Sequence, residues 1–95
     1  MLVWPFKDAD EVLEYFVDWT LHPVWQPGDA IDSATFSLAT AAGMTISTSS
    51  HDSRNLSFVT LSGGTAASRG KVLCEVVTDA GQTLQQTATV LIRAR

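Results

Sequence analysis

Apolar and polar positions alternate along most of this chain with a period of two, and no segment carries a convincing helical period. From Glu11 to Thr20 the residues Leu13, Tyr15, Val17 and Trp19 share one face, while Glu14 and Asp18 point the other way. That pattern predicts a strand, although Asp8 to Tyr15 also contains good helix formers. Phe16 breaks the alternation, which places an aromatic ring on the outer face. Leu21 to Pro27 is a loop with two prolines, and Gly28-Asp29 is a turn. Ile31 to Leu38 is the next strand, where the odd step between Ile31 and Ala34 predicts a bulge.

The second half repeats this rhythm. Ala39 to Gly43 is a small-residue turn. Met44 to Ser50 is a short strand with Met44 and Ile46 inward, and the polar stretch Ser47 to Arg54 reads as a loop. Leu56 to Leu61 is a strand closed by Ser62-Gly63-Gly64-Thr65. Gly70 to Thr78 sets Val72, Cys74 and Val76 on one face. Asp79-Ala80-Gly81-Gln82 predicts a tight hairpin, with Gly81 free to take positive φ. On the return strand, Thr83 to Arg93, Leu84, Gln86, Ala88, Val90 and Ile92 face one way; Thr83, Gln85, Thr87 and Thr89 suit a solvent-facing surface. Six to seven strands with turns every eight to twelve residues predict an all-β fold. The expected architecture is an antiparallel β-sandwich of immunoglobulin-like type, forming a single domain over residues 1–95.

Composition agrees with a folded domain, since 45% of the residues are hydrophobic. No apolar run reaches the length of a membrane helix, and no basic leader precedes an apolar stretch, so the expected starting compartment is the cytosol. The single cysteine, Cys74, precludes an internal disulfide and reads as a small buried hydrophobe. The net charge of −4 argues against nucleic acid or an anionic membrane as partner. Charge is uneven: residues 1–32 hold seven acids and one Lys, and residues 33–95 three acids and five bases. An acidic and a basic pole of this kind can meet head to tail between copies.

Catalytic and cofactor chemistry is sparse. His51-Asp52-Ser53 lists triad residue types, but strand neighbours point apart and a triad is assembled from distant segments. His22 lies in the proline-containing loop. Asp8-x-Asp10-Glu11 lacks the Gly turn and distal carboxylate of a tight calcium site. The glycines between Ser62 and Lys71 miss the phosphate-loop spacing, and no helix follows them. No cofactor or metal is expected. Trp19 is a core residue by phase; Trp4 and Trp25 either cap the sandwich ends or anchor an interface.

Several motifs occur together in order. Glu14-Tyr15-x-Val17-Asp18-Trp19 is followed by Gly28-Asp29-x-Ile31-x-Ser33, then Gly43-Met44-x-Ile46. Leu61-Ser62-Gly63-Gly64 and Val76-x-Thr78-x-Ala80-Gly81-x-Thr83 come next. In this the chain resembles a family of small immunoglobulin-like structural proteins of tailed bacteriophages and prophages, from about Lys7 to Arg93. Phe36 and Thr60 stand where that family often has Trp, and the Leu21 to Pro27 loop is longer. The resemblance implies a non-enzymatic virion or assembly protein acting in head–tail or tail and fibre morphogenesis. Its implied partners are other phage structural proteins, with a homo-oligomer as a further option. Its implied location is the host cytoplasm during assembly and then the virion. Candidate contact residues are Trp25, Phe16 and Trp4, with the acids Asp8, Asp10 and Glu11. The alternative is a glycan-binding adhesion module using Trp4 and Trp25 as stacking platforms; a hydrolase using His22 or His51 is more remote.

Overall fold

A computed structural model describes residues 2–93. The strands are β1 (Leu2–Val3), β2 (Lys7–Asp8), β3 (Val12–Asp18), β4 (Ile31–Thr40), β5 (Met44–His51), β6 (Leu56–Gly63), β7 (Ser68–Thr78) and β8 (Thr83–Arg93). They form two sheets. One has the order β1-β8-β7-β4, with β2 also on β8, and the other has the order β3-β6-β5. This is an all-β sandwich, and its six long strands pair antiparallel, as the alternation predicts.

The core lies between the sheets. Tyr15, Val17, Val59 and Leu61 come from one sheet; Val72, Cys74, Val76, Leu84, Ala88, Val90 and Ile92 come from the other. All sit at alternate positions, so each strand contributes one face. The predicted bulge is present as a register shift between Ile31 and Ser33. Around the predicted hairpin Thr78 N–H bonds Gln82 O at 2.9 Å, and Gly81 takes φ +88°. The Gly28-Asp29 turn docks on that hairpin. Asp79 N–H bonds Ala30 O at 2.9 Å, and the Asp29 carboxylate accepts from the Ala30 and Ala80 amides. Burial would raise the Asp29 pKa, but bonds from the Thr78 side chain and those two amides overcome it and hold the carboxyl below its usual value.

Three expectations are corrected, and one feature is new. The first long strand stops at Asp18, and Trp19–Leu21 forms a 3-10 turn. The cause is local: the Asp18 carboxylate accepts from Thr20 N at 3.1 Å and Thr20 Oγ1 at 2.7 Å, a cap that turns the chain. The strand read from Met44 to Ser50 is present and runs on to His51, so the overlapping loop reading of Ser47 to Arg54 fails as far as His51, where β5 still pairs with β6. Its side chains from Ser47 on are exposed, so no apolar alternation marks it. Thr89 is buried, since Val3 pairs with it and Trp4 N–H bonds its carbonyl at 3.0 Å. Finally, the N-terminal segment adds two short strands running parallel to β8.

Lys7 sits at the point where this segment joins the sandwich. It is fully buried, and its ammonium donates to the carbonyls of Gly63 and Asp8. It thereby ties β2 to the end of β6. The hydrocarbon stem fills space that would otherwise be void.

Candidate functional site

A groove runs along the free side of β3, where the two sheets part. Its volume is about 840 Å³, and its lining includes Leu2, Trp4, Tyr15, Phe16, Trp19 and Leu21. The local sequence builds it. Leu13, Tyr15 and Val17 alternate inward along β3, and the 3-10 turn then carries Trp19 under the groove and Leu21 to its rim. Trp19 is wholly buried, and its indole N–H donates to Ser57 Oγ at 2.8 Å. His22 stacks on Trp19 with ring centroids 5.6 Å apart, and its Nε2 lies 3.3 Å from Gln85 O.

The candidate contact residues fare differently. Phe16 is 54% exposed on the outer face, beside Phe58 at 6.3 Å between ring centroids. Trp4 is buried: it stacks on Tyr15 at 4.8 Å, and its indole N–H donates to Phe16 O at 3.1 Å. One of its faces and its polar edge are therefore taken inside the chain, which corrects its reading as an open platform or loop anchor. Trp25 is half-buried and packs against the core. Asp8 pairs with Arg93 at 3.1 Å, so that acid is already neutralised within the chain. Glu11 accepts from Asp8 N–H at 2.8 Å and closes the turn between β2 and β3. Asp10 is exposed at the tip of that turn.

The larger signal lies in residues not singled out as candidates. Val3, Phe6, Val12, Leu21 and Val24 join Phe16 as the exposed large hydrophobics among the described residues. All six fall between residues 3 and 24; Phe16 and Leu21 line the groove, and Val12 shares β3 with Phe16. Val12 is legible in the sequence, since like Phe16 it is apolar and out of phase with the inward set. Leu21 and Val24 carry a weaker signal, as apolar residues flanking His22-Pro23 in a loop. An apolar collection on one part of a surface marks a contact region better than scattered exposed side chains do.

Among the described residues, no cluster of His, Cys, Asp and Glu is placed to hold a metal ion. Asp52 is engaged by Arg54, its guanidinium donating at 2.7 Å, and by the amides of Arg54 and Leu56, which together hold its carboxyl below the usual range. His51 lies at the end of β5 opposite Ser57, with β6 between it and β3. Cys74 is buried with its Sγ 3.4 Å from Ser57 Oγ. Burial pushes its thiol up to about 11, a shift that the Ser57 contact opposes. Burial also pushes the Tyr15 hydroxyl up to about 12, with Glu11 adding to the shift; that hydroxyl donates to Pro5 O at 3.0 Å.

These two groups weaken the fold at alkaline pH. Each loses its proton earlier in the unfolded chain than in the folded one. The stability they contribute is complete below about pH 9 and is lost as pH rises through about 11 and 12. Thermal melts should therefore fall progressively above pH 9, the buried thiol accounting for at most about 1.4 kcal/mol per pH unit crossed. Thiol reagents at pH 8 should label Cys74 only as fast as the chain opens. Full labelling within the mixing time, or a melt flat from pH 8 to 11, would contradict this.

Comparison with known proteins follows the same direction. Residues 7–91 match the family model described as podophage GP4 fiber-tail adaptor protein gp77. No curated protein matches the chain. The match spans β2 to all but the end of β8, and so takes in both sheets and most of the strand segments around the groove. With most of its length matched, this all-β sandwich belongs to the podophage fiber-tail adaptor family, a family of tailed-phage structural proteins.

Proposed function

We propose that the chain is a non-enzymatic link in a phage particle, joining a tail component to a fibre component through protein–protein contacts. The family match over residues 7–91 carries this reading. The clustering of exposed apolar side chains between residues 3 and 24 supports it, because a link must bury surface against its neighbours. The sandwich supplies a rigid body, and Phe16 with the rim of the groove supplies contact area. Several copies around a tail would multiply weak single contacts through avidity. Assembly takes place in the host cytoplasm, and the chain remains in the finished virion.

Mass spectrometry of purified particles tests this directly. The chain is expected in virions, and deletion of its gene is expected to yield tailed particles without fibres that no longer adsorb to host cells. Absence of the chain from virions and from assembly intermediates would overturn the proposal. So would a deletion that leaves fibre content unchanged.

A further inference from the structure

The border of the groove has a property beyond its apolar lining. β3 ends its sheet: β6 lies on one side, and no strand lies on the other among the described residues. The ladder to β6 runs from Val12↔Ser62 to Asp18↔Leu56 without a register shift, so the open side is straight. The opposite edge strand, β5, carries a shift between Ile46 and Thr48, a common device for discouraging further pairing. Phe16 O accepts from the Trp4 indole and so points away from β6. Backbone groups alternate sides along a strand, which turns the N–H and C=O of Glu14 and the N–H of Phe16 to the open side as well. Trp4 already satisfies one edge carbonyl in the way a neighbouring strand would.

We propose that the open edge of β3 receives an extended segment of another virion protein. That segment would add a strand to the sheet, lay an apolar side chain over the groove, and carry Lys or Arg near Glu14 and Asp18. The inference rests on the structural role proposed above and names how one partner is held. Charge selects the occupant. Glu14 and Asp18 flank Phe16 on the outer face of β3. Pairing of β3 with its own copy about Phe16 would set Glu14 opposite the Asp18 of that copy, and like charges directly opposite are destabilising. A basic segment meets the same two carboxylates favourably. Backbone pairing supplies the affinity in such strand addition, and the groove reads the alternate side chains.

Amide hydrogen exchange tests the assignment on the intact chain, free in solution and in purified particles. The Glu14 and Phe16 amides should exchange readily in the free chain and become protected in particles. Those of Tyr15 and Val17, already bonded to β6, should change little. Glu14→Pro removes only an outward N–H, a tolerated change on an edge strand, and it should lower incorporation into particles roughly tenfold or more. Glu14→Lys should do the same through charge, while Asp32→Lys, the same charge change on the other sheet, should incorporate normally. Three results would overturn the assignment: unchanged Glu14 and Phe16 exchange in particles that contain the chain, protection arising in the concentrated purified chain alone, or normal incorporation of both Glu14 variants. The first leaves the linking role standing, since the chain would still be present in the particle.

Discussion

Replacing Trp19 with alanine is expected to lower the stability of the fold by about 3–5 kcal/mol, the usual cost of emptying a large aromatic site. Trp19 is the largest fully buried side chain, and it lies where the 3-10 turn crosses the gap between the sheets. Its loss would open a cavity under the groove and leave Ser57 Oγ, buried beside Cys74, without its indole donor. A domain of this size has roughly 5–14 kcal/mol of total stability, so the variant would stand near the limit of folding. Its melting temperature should drop by about 15 °C or more. Trp19→Phe keeps part of the volume and loses the hydrogen bond, so it should fall between the two. Calorimetry or a urea titration reads the difference, and a Trp19→Ala loss below about 1 kcal/mol would show that Trp19 is not an anchor of the core.

The second large effect concerns Lys7. Lys7→Ala is expected to cost about 2–4 kcal/mol, because three buried methylenes and the bonds to Gly63 O and Asp8 O disappear together. Lys7→Met separates these contributions. It keeps the stem, leaves the two carbonyls without the ammonium, and removes the penalty of holding a charge out of water. Its cost should be about half that of the alanine variant. Equal losses in the two variants, measured by denaturant titration, would mean that the ammonium bonds and not the stem hold β2 in place.

Both residues show which parts of the fold the chain's pattern reveals and which it conceals. The β7–β8 hairpin is readable because Val72, Cys74, Val76, Leu84, Ala88, Val90 and Ile92 alternate, broken only by Gln86, around a Gly-containing turn. The bulge after Ile31 is readable because it breaks that alternation by one residue. Trp19 is readable as core by phase, but its place in a 3-10 turn depends on the Asp18 cap. β1 and β2 are two residues each, too short for any period, and they exist only because β8 offers an edge. The burial of Lys7 and Trp4 follows from that non-local pairing, so both look like surface residues in isolation. The far half of β5 is obscured for a different reason: from Ser47 on its side chains are exposed, and pairing without burial leaves no hydrophobic trace. The proposed contact region is half legible, since Phe16 and Val12 stand out of phase on β3, while the groove beside them needs two sheets to exist.

The parallel pairing of β2 with β8 has a mechanical consequence. Lys7 lies beside Ile92 and Asp8 beside Arg93, with both strands running the same way. Tension drawing the chain outward before β2 and after β8 would act along these strands in opposite senses. It would slide them past one another and load their cross-bonds together. An antiparallel pair pulled from adjacent ends would instead peel open one bond at a time. Force entering through the first strands and leaving through the last therefore meets the fold in shear.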